Sequence, residues 1–256
     1  VTQDENLEIV PLLAEEWEEI DETTWQFTLQ EGVTFHDGSE FNAEVVKANI
    51  ERLLDPAVAS PRSFLLEMVT EVNVIDDYTV EFELEYPYSP LLNNLSHGAG
   101  KMISKDLIDA DYESALSEAG EDMSVEEYYE LRDEGGEAHE EVANAIAGDV
   151  SSLIEQGPIG TNYMEFESRN PGESTVLTKY ADYRDGEATI DSLTYKVVTE
   201  TGSRIAELET GSSDFILGVQ SSNIDRVDGN DEMTLERNES VSIDYIGFNT
   251  ESEPFD

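Results

Sequence analysis

Apolar and polar residues alternate through Trp25, Phe27 and Leu29, the period-two pattern of a strand with one buried face. Glu31-Gly32 punctuates the run, Val33 and Phe35 resume the alternation, and Asp37-Gly38 supplies a turn. The period then lengthens. Val46, Ile50, Leu53 and Leu54 fall on one stripe of a helix. Asn42 stands where the N-cap belongs, Glu44 lies in the first turn facing the positive helix end, and Asp55-Pro56 ends the element. A second β unit is predicted over about residues 69–84, where Val72 and Val74, then Val80, Phe82 and Leu84, alternate around the turn Asp76-Asp77.

Residues 106–156 change character and read as helical and very acidic. Ser124 with Glu127 fits a capping box, and Val142, Ala145, Ile146 and Leu153 lie at helical spacing. Gly157-Pro158 breaks this stretch. Beyond it, Val176-Leu177 and then Leu193, Tyr195 and Val197 read as strands, and Arg204–Thr210 as a short helix closed by Gly211. Phe215-Ile216 is a predicted strand, Ser222–Val227 a helical turn, and Ile243–Phe248 a final strand. Strands and helices interleave throughout without an internal repeat. The expected class is therefore α/β (mixed α+β), with mixed sheets and flanking helices.

Composition adds that the chain folds. Its 256 residues leave room for a core, and 11 Tyr and 9 Phe are spread along its length, unlike an acidic disordered tail. Sixty Asp and Glu face 13 Lys and Arg, a formal net charge of −47. In dilute buffer that self-repulsion opposes compaction, whereas near 1 M salt the screening length falls to roughly 3 Å. The acids are dispersed through every segment and Lys is rare, so the surface reads as adapted to molar salt rather than to one cationic partner. Nucleic acid is excluded as a partner, because phosphate neutralisation needs clustered cations. Without cysteine the chain has no disulfide, catalytic thiol or thiolate metal site, and no apolar run is long enough to span a membrane. Val1-Thr2-Gln3-Asp4 and Glu253-Pro254-Phe255-Asp256 both read as cut ends, so an excised domain is expected.

Catalytic motifs are missing. No phosphate-cradling glycine loop with its lysine and no nucleophile elbow occurs, and Gly98-Ala99-Gly100 is only a fragment of a dinucleotide fingerprint. His139-Glu140-Glu141 lacks a second histidine, and His36, His97 and His139 stand far apart, so no metal site is expected. His36 is assigned to a strand-to-turn junction and His139 to a solvated helix face. Asp225–Asp231 lacks the ligand spacing of a calcium loop and reads as a solvated turn. Asn94-Leu95-Ser96 and Asn238-Glu239-Ser240 are sequons compatible with an extracellular protein.

Five segments, in order, resemble the family 5 extracellular solute-binding proteins of ABC importers, the dipeptide, oligopeptide and nickel group. The first is Pro11-Leu12-Leu13-Ala14-Glu15-Glu16-Trp17, followed by Trp25-Gln26-Phe27-Thr28-Leu29, Gly32-Val33-Thr34-Phe35-His36-Asp37-Gly38 and Phe41-Asn42-Ala43-Glu44-Val45-Val46. The second runs from Val74-Ile75-Asp76-Asp77-Tyr78 to Pro87-Tyr88-Ser89-Pro90. The third is Pro158-Ile159-Gly160-Thr161 with Asn170-Pro171-Gly172 and Tyr180-Ala181-Asp182-Tyr183. The fourth is Arg204-Ile205-Ala206-Glu207-Leu208 with Gly211 and Asp214-Phe215, and the last Ile246-Gly247-Phe248-Asn249-Thr250 with Pro254-Phe255-Asp256. Three departures stand out. Gln30 replaces a usually basic residue, Asn162-Tyr163-Met164 replace the usual Gly-Pro-Tyr, and the stretch 106–156 is longer than usual. Family members are also much longer than this chain.

The resemblance implies a lobe like that of the type II periplasmic binding proteins. Residues 1–156 would form the smaller subdomain with the signature stretch and the acidic helical insertion. Residues 157–256 would form part of the ligand-facing lobe I, with Ile243–Thr250 running into the crossover to a missing lobe II. The implied role is capture of a small solute, a peptide above all, and delivery to the permease subunits of an ABC importer, with no catalysis and no cofactor. Its implied location is extracellular, cell-surface or periplasmic, held by a lipid anchor. Ligand-facing positions carried over are Arg62 and Phe64, Gly218, Val219 and Gln220, and Tyr245 with Asn249. The residues that fix peptide termini would lie mostly on the other lobe, so this portion alone would bind weakly or not at all. Two alternatives stay open on the residues themselves: a carboxylate-based hydrolase secreted by a halophile, and an acidic cation-binding module.

Overall fold

A two-stranded ribbon, β1 (Thr2–Gln3) with β2 (Ile9–Val10), leads into the strands β3 (Ala14–Asp21) and β4 (Thr24–Leu29). The computed structural model describes residues 1–238 and 244–255, which fall into two compact units, Val1–Lys196 and Val197–Asp256. After β4 the chain enters helix α1 (Ala43–Leu54), then β5 (Val69–Asp76) and β6 (Thr79–Leu84). These strands form one antiparallel sheet in the order β3-β4-β6-β5. The alternation read from the sequence sets its two faces: Phe27, Leu29, Val72, Val80, Phe82 and Leu84 are buried, with Ala43, Val45, Val46 and Ile50 of α1 completing the same core.

Asn42 caps α1 as its type requires, its Oδ1 accepting the Val45 N–H at 3.2 Å. The stretch around Val33 and Phe35 differs from expectation. Both side chains are buried, but the backbone makes only an isolated bridge, Thr34 to Glu40, around the turn at Gly38. Gly38 has φ +85°, a left-handed value that costs glycine little.

Helix α2 (Leu91–Ser96) closes one end of the first core, and the acidic stretch folds as four helices, α3 (Lys105–Ala119), α4 (Val125–Glu134), α5 (Glu137–Ile146) and α6 (Ser152–Gln156). A second core forms among them, where Ile108, Tyr112, Leu116, Val125, Tyr128, Val142 and Ile146 meet Ala48 of α1. The capping box is present in both halves: Glu127 N–H donates to Ser124 Oγ, and Ser124 N–H to Glu127 Oε2 at 2.8 Å. Two details are corrected. Ala143 rather than Ala145 joins Val142 and Ile146 on the buried stripe of α5. His139 is only 6% exposed, not solvated, because α5 packs that face onto α3 and α4.

A second antiparallel sheet, β7 (Met164–Asn170), β8 (Ser174–Lys179) and β9 (Ser192–Lys196) in that order, completes the first unit. The mixed α+β class holds, and the pairings among the described residues are antiparallel. The second unit contains α7 (Thr201–Glu209), with Gly211 in the left-handed region just beyond it, and α8 (Ile224–Asp228). The predicted strand at Phe215-Ile216 does not form. Ile243 lies outside the described residues, and residues 244–248 are not a strand. Alternation alone does not make a strand; its N–H and C=O groups need a ladder partner, and among the described residues neither segment pairs with one.

Candidate functional site

Arg62 and Phe64 share one tight turn. Ser63 N–H donates to Ser60 O at 3.1 Å and Arg62 N–H to Ser60 Oγ at 3.3 Å, while fully buried Leu66 anchors the exit. The turn is tied to α2 through Asn94, whose Nδ2 donates to Leu65 O at 2.6 Å and to Tyr88 Oη at 3.1 Å. The nitrogen of the first sequon is therefore already engaged. Phe64 is 56% exposed and Arg62 is exposed too, with no ion pair among the described residues. An exposed guanidinium can receive a carboxylate, and an open aromatic ring can pack on an apolar group.

The remaining carried-over positions belong to the second unit. Gly218 has φ +71° and is exposed with Gln220, while Val219 is half-buried. The Arg204 side chain donates from Nη1 to Val198 O at 2.8 Å and Thr199 O at 3.1 Å, and from Nη2 to Thr201 Oγ1 at 3.2 Å and Gly218 O at 3.3 Å. Arg204 was absent from the sequence-derived positions because its acceptors are mostly backbone carbonyls. Tyr245 is 85% exposed. Asn249 shapes a turn, its Oδ1 accepting Glu251 N–H at 3.0 Å and its Nδ2 donating to Ser252 Oγ at 3.2 Å.

Two concavities indent the first unit on opposite chemical terms, one apolar and one polar. One, of about 350 Å3, is lined by apolar core residues including Phe27, Leu29, Phe41, Phe82, Leu95 and Met102. The other, of about 530 Å3, is polar, with Lys47, Glu51, Asp55, Glu71, Arg132 and His139 in its wall. Asp55 is buried there and fully engaged. It accepts Tyr112 Oη at 2.7 Å, Tyr128 Oη at 3.0 Å and Ala57 N–H at 2.8 Å, and His139 Nε2 lies 3.9 Å from it. Burial, reinforced by the Asp55 charge, pushes both tyrosine hydroxyls well above their ordinary pKa. They stay donors, and the carboxylate has no free face to act as a base. This network is a fastening of α3, α4 and α5 to the end of α1, not an acid–base pair.

His36 Nε2 lies 2.8 Å from Asn162 O, and its ring packs edge-on against Tyr180, fixing the junction onto the segment after Gly160. Among the described residues no group of three or more His, Asp or Glu side chains is arranged to hold a metal ion, and no helix is long and apolar enough to cross a membrane.

The fold is shared with solved binding proteins. A dipeptide binding protein from Pseudoalteromonas sp. SM9913, in complex with Met-Leu, superposes with a TM-score of 0.73 at 24% identity, over 99% of this chain and 47% of that one. A nickel ABC transporter structure from Bacillus halodurans gives a TM-score of 0.65 at 25% identity, over 90% of this chain and 38% of that one. The class of fold is that of ABC-transporter solute-binding proteins. Among characterised sequences, the glutathione-binding protein GsiB of Pectobacterium atrosepticum is 28% identical over 255 residues, which are 99% of this chain and 42% of that protein. GsiB of Escherichia coli K12 matches to the same extent. The family model described as bacterial extracellular solute-binding proteins, family 5 Middle, matches residues 8–256, and the chain belongs to that family. It spans about two-fifths of the length of the GsiB relatives.

Proposed function

We propose that this chain is part of the extracellular solute-binding component of an ABC importer, and that its solute is a peptide. The observation that carries this reading is the family match across residues 8–256, joined to a likeness over 99% of the chain to a dipeptide binding protein. The exposed Arg62 and Phe64 on one turn support a peptide, since they offer a cation to a carboxylate and a ring to a side chain. Residues 1–156 would form the smaller subdomain and residues 157–256 part of the ligand-facing lobe, with capture by hinged closure. Gly218, Val219, Gln220, Tyr245 and Asn249 are the solute-facing positions proposed in the second unit. The protein acts as a receptor rather than an enzyme, hands its solute to permease subunits, is held at the cell surface by a lipid anchor, and works in molar salt. The dispersed excess of carboxylates supports the last point.

The test is a thermal melt of the polypeptide carrying this sequence, purified in molar KCl, against a panel containing Met-Leu, glutathione, longer peptides and nickel–histidine complexes. A true ligand at a hundredfold excess over its Kd stabilises by about 2.7 kcal/mol, a shift of several degrees. Melting unchanged across the panel overturns the reading. A shift with nickel–histidine alone replaces the peptide by a metal chelate, and cleavage of the peptides during the assay replaces the receptor by a hydrolase.

A further inference from the structure

The geometry points to Arg204 as a positioning residue: its guanidinium holds the Gly218–Gln220 stretch in shape for solute contact, which rests on the solute-binding reading above. Its four bonds end on neutral oxygens. Three, to Val198 O, Thr199 O and Thr201 Oγ1, clamp the entry to α7, and the fourth reaches Gly218 O at 3.3 Å, fourteen residues along the chain. One side chain thus ties the start of its own helix to the segment that follows that helix.

That tie matters because burial does little to fix the segment. Phe215 and Leu217 are 74% and 72% exposed, Gly218 and Gln220 are exposed, and no strand pairing among the described residues takes their backbone groups. With so little buried apolar surface, hydrogen bonds must supply the order, and Arg204 makes the bond at the residue where the chain turns through φ +71°. A planar fork with five donors can serve both sites at once, whereas a lysine ammonium is a point charge that cannot reproduce the fork. Ordering the stretch before the solute arrives lowers the entropy lost on binding, which raises affinity while contributing little to global stability.

The experiment compares Arg204→Lys, Arg204→Gln and Gln220→Ala with the parent protein in molar KCl. Three quantities are read: the Kd for Met-Leu by calorimetry, the melting temperature without solute, and the backbone nitrogen-15 order parameters of residues 217–220. Both Arg204 variants are expected to bind about tenfold more weakly, to show lower order parameters at 217–220, and to melt within a degree or two of the parent. Parent-like binding by Arg204→Lys overturns the proposal, as does a melting temperature that falls in step with affinity, which marks a merely structural role. If Gln220→Ala weakens binding and neither Arg204 variant does, the Arg204 proposal fails and the solute-binding reading stands. If the parent binds and none of the three variants changes Kd, the assignment of Gly218–Gln220 to the solute fails. Should Met-Leu not bind at all, the order parameters still decide: values unchanged at 217–220 in both Arg204 variants overturn the tie.

Discussion

The Tyr112 hydroxyl donates to Asp55 Oδ2 at 2.7 Å, joining the middle of α3 to the residue that ends α1. Both groups are buried, so the bond is made without competing water. Tyr112→Phe keeps the ring and removes one donor from a buried carboxylate, an interaction worth about 1.5–3 kcal/mol when one partner is charged. Denaturant unfolding in molar KCl should show a loss of that size with an unchanged m-value. A loss below a few tenths of a kcal/mol would mean that Tyr128, which also donates to Asp55, carries the fastening alone. The tyrosine's pKa is raised, so its contribution is complete below the ordinary value near 10 and fades only as pH rises through the higher folded value.

This corner also shows how far local pattern reaches. The four-stranded sheet was legible because Phe27, Val80 and Phe82 alternate and face one core, and α1 and α4 announced themselves through Asn42 and through Ser124 with Glu127. His139 was misplaced because its burial is decided by Tyr128 and by Asp55, 84 positions earlier, and no short window contains both. The strands expected at Phe215-Ile216 and, over its described residues 244–248, at Ile243–Phe248 failed for a related reason, since alternation says nothing about whether a partner edge exists. Arg62 and Phe64 stand exposed, and the sequence around them does not say what they meet. Arg204 was read as the start of a helix, but its hydrogen bonds could not be, because three of its four acceptors are backbone carbonyls, which every residue has.

Glu71 and Glu83 face each other across β5 and β6, both exposed. Like charges directly opposed on a sheet destabilise by about 0.2–1 kcal/mol in dilute buffer, and near 1 M salt the screening length of roughly 3 Å removes most of that cost. Glu83→Gln should therefore stabilise the protein in low salt and leave it almost unchanged in molar KCl. An equal gain at both ionic strengths would show that packing, not charge, separates the two proteins, and would weaken the proposed adaptation to brine.

Tyr78 donates its hydroxyl to the Glu40 carboxylate, and that bond, with slight desolvation and the Glu40 charge, pushes the phenol up to about 12. The folded value exceeds the ordinary one near 10, so the bond contributes fully below pH 10 and is lost as pH rises through about 12. Glu40→Gln removes the charge and should return Tyr78 toward its ordinary value, followed as the phenolate resonance of carbon-13-labelled tyrosine. A titration unmoved by that substitution would exclude Glu40 as the cause.

Asn49 uses its whole amide on the backbone of the segment beside it. Its Nδ2 donates to Val45 O at 2.9 Å and Ile103 O at 2.8 Å, and its Oδ1 accepts Ile103 N–H at 3.0 Å. The residue thus does for Ile103 what a neighbouring strand would do, and it pins the entry to α3 against α1. Asn49→Ala strands the Ile103 N–H and C=O in a half-buried position, at about 1–3 kcal/mol for each unpaired group. Asn49→Asp is more diagnostic. It keeps the acceptor, removes the donor and sets an anion against the Ile103 carbonyl, which raises the pKa of the introduced carboxyl above its value in the unfolded chain. A raised carboxyl costs stability at neutral pH, and the cost is relieved as pH falls through the folded value, because the protonated acid can again donate. The stability difference between parent and Asn49→Asp should therefore shrink from pH 7 to pH 5. A difference that stays constant over that range would show that the amide acts through its shape and not through its donor.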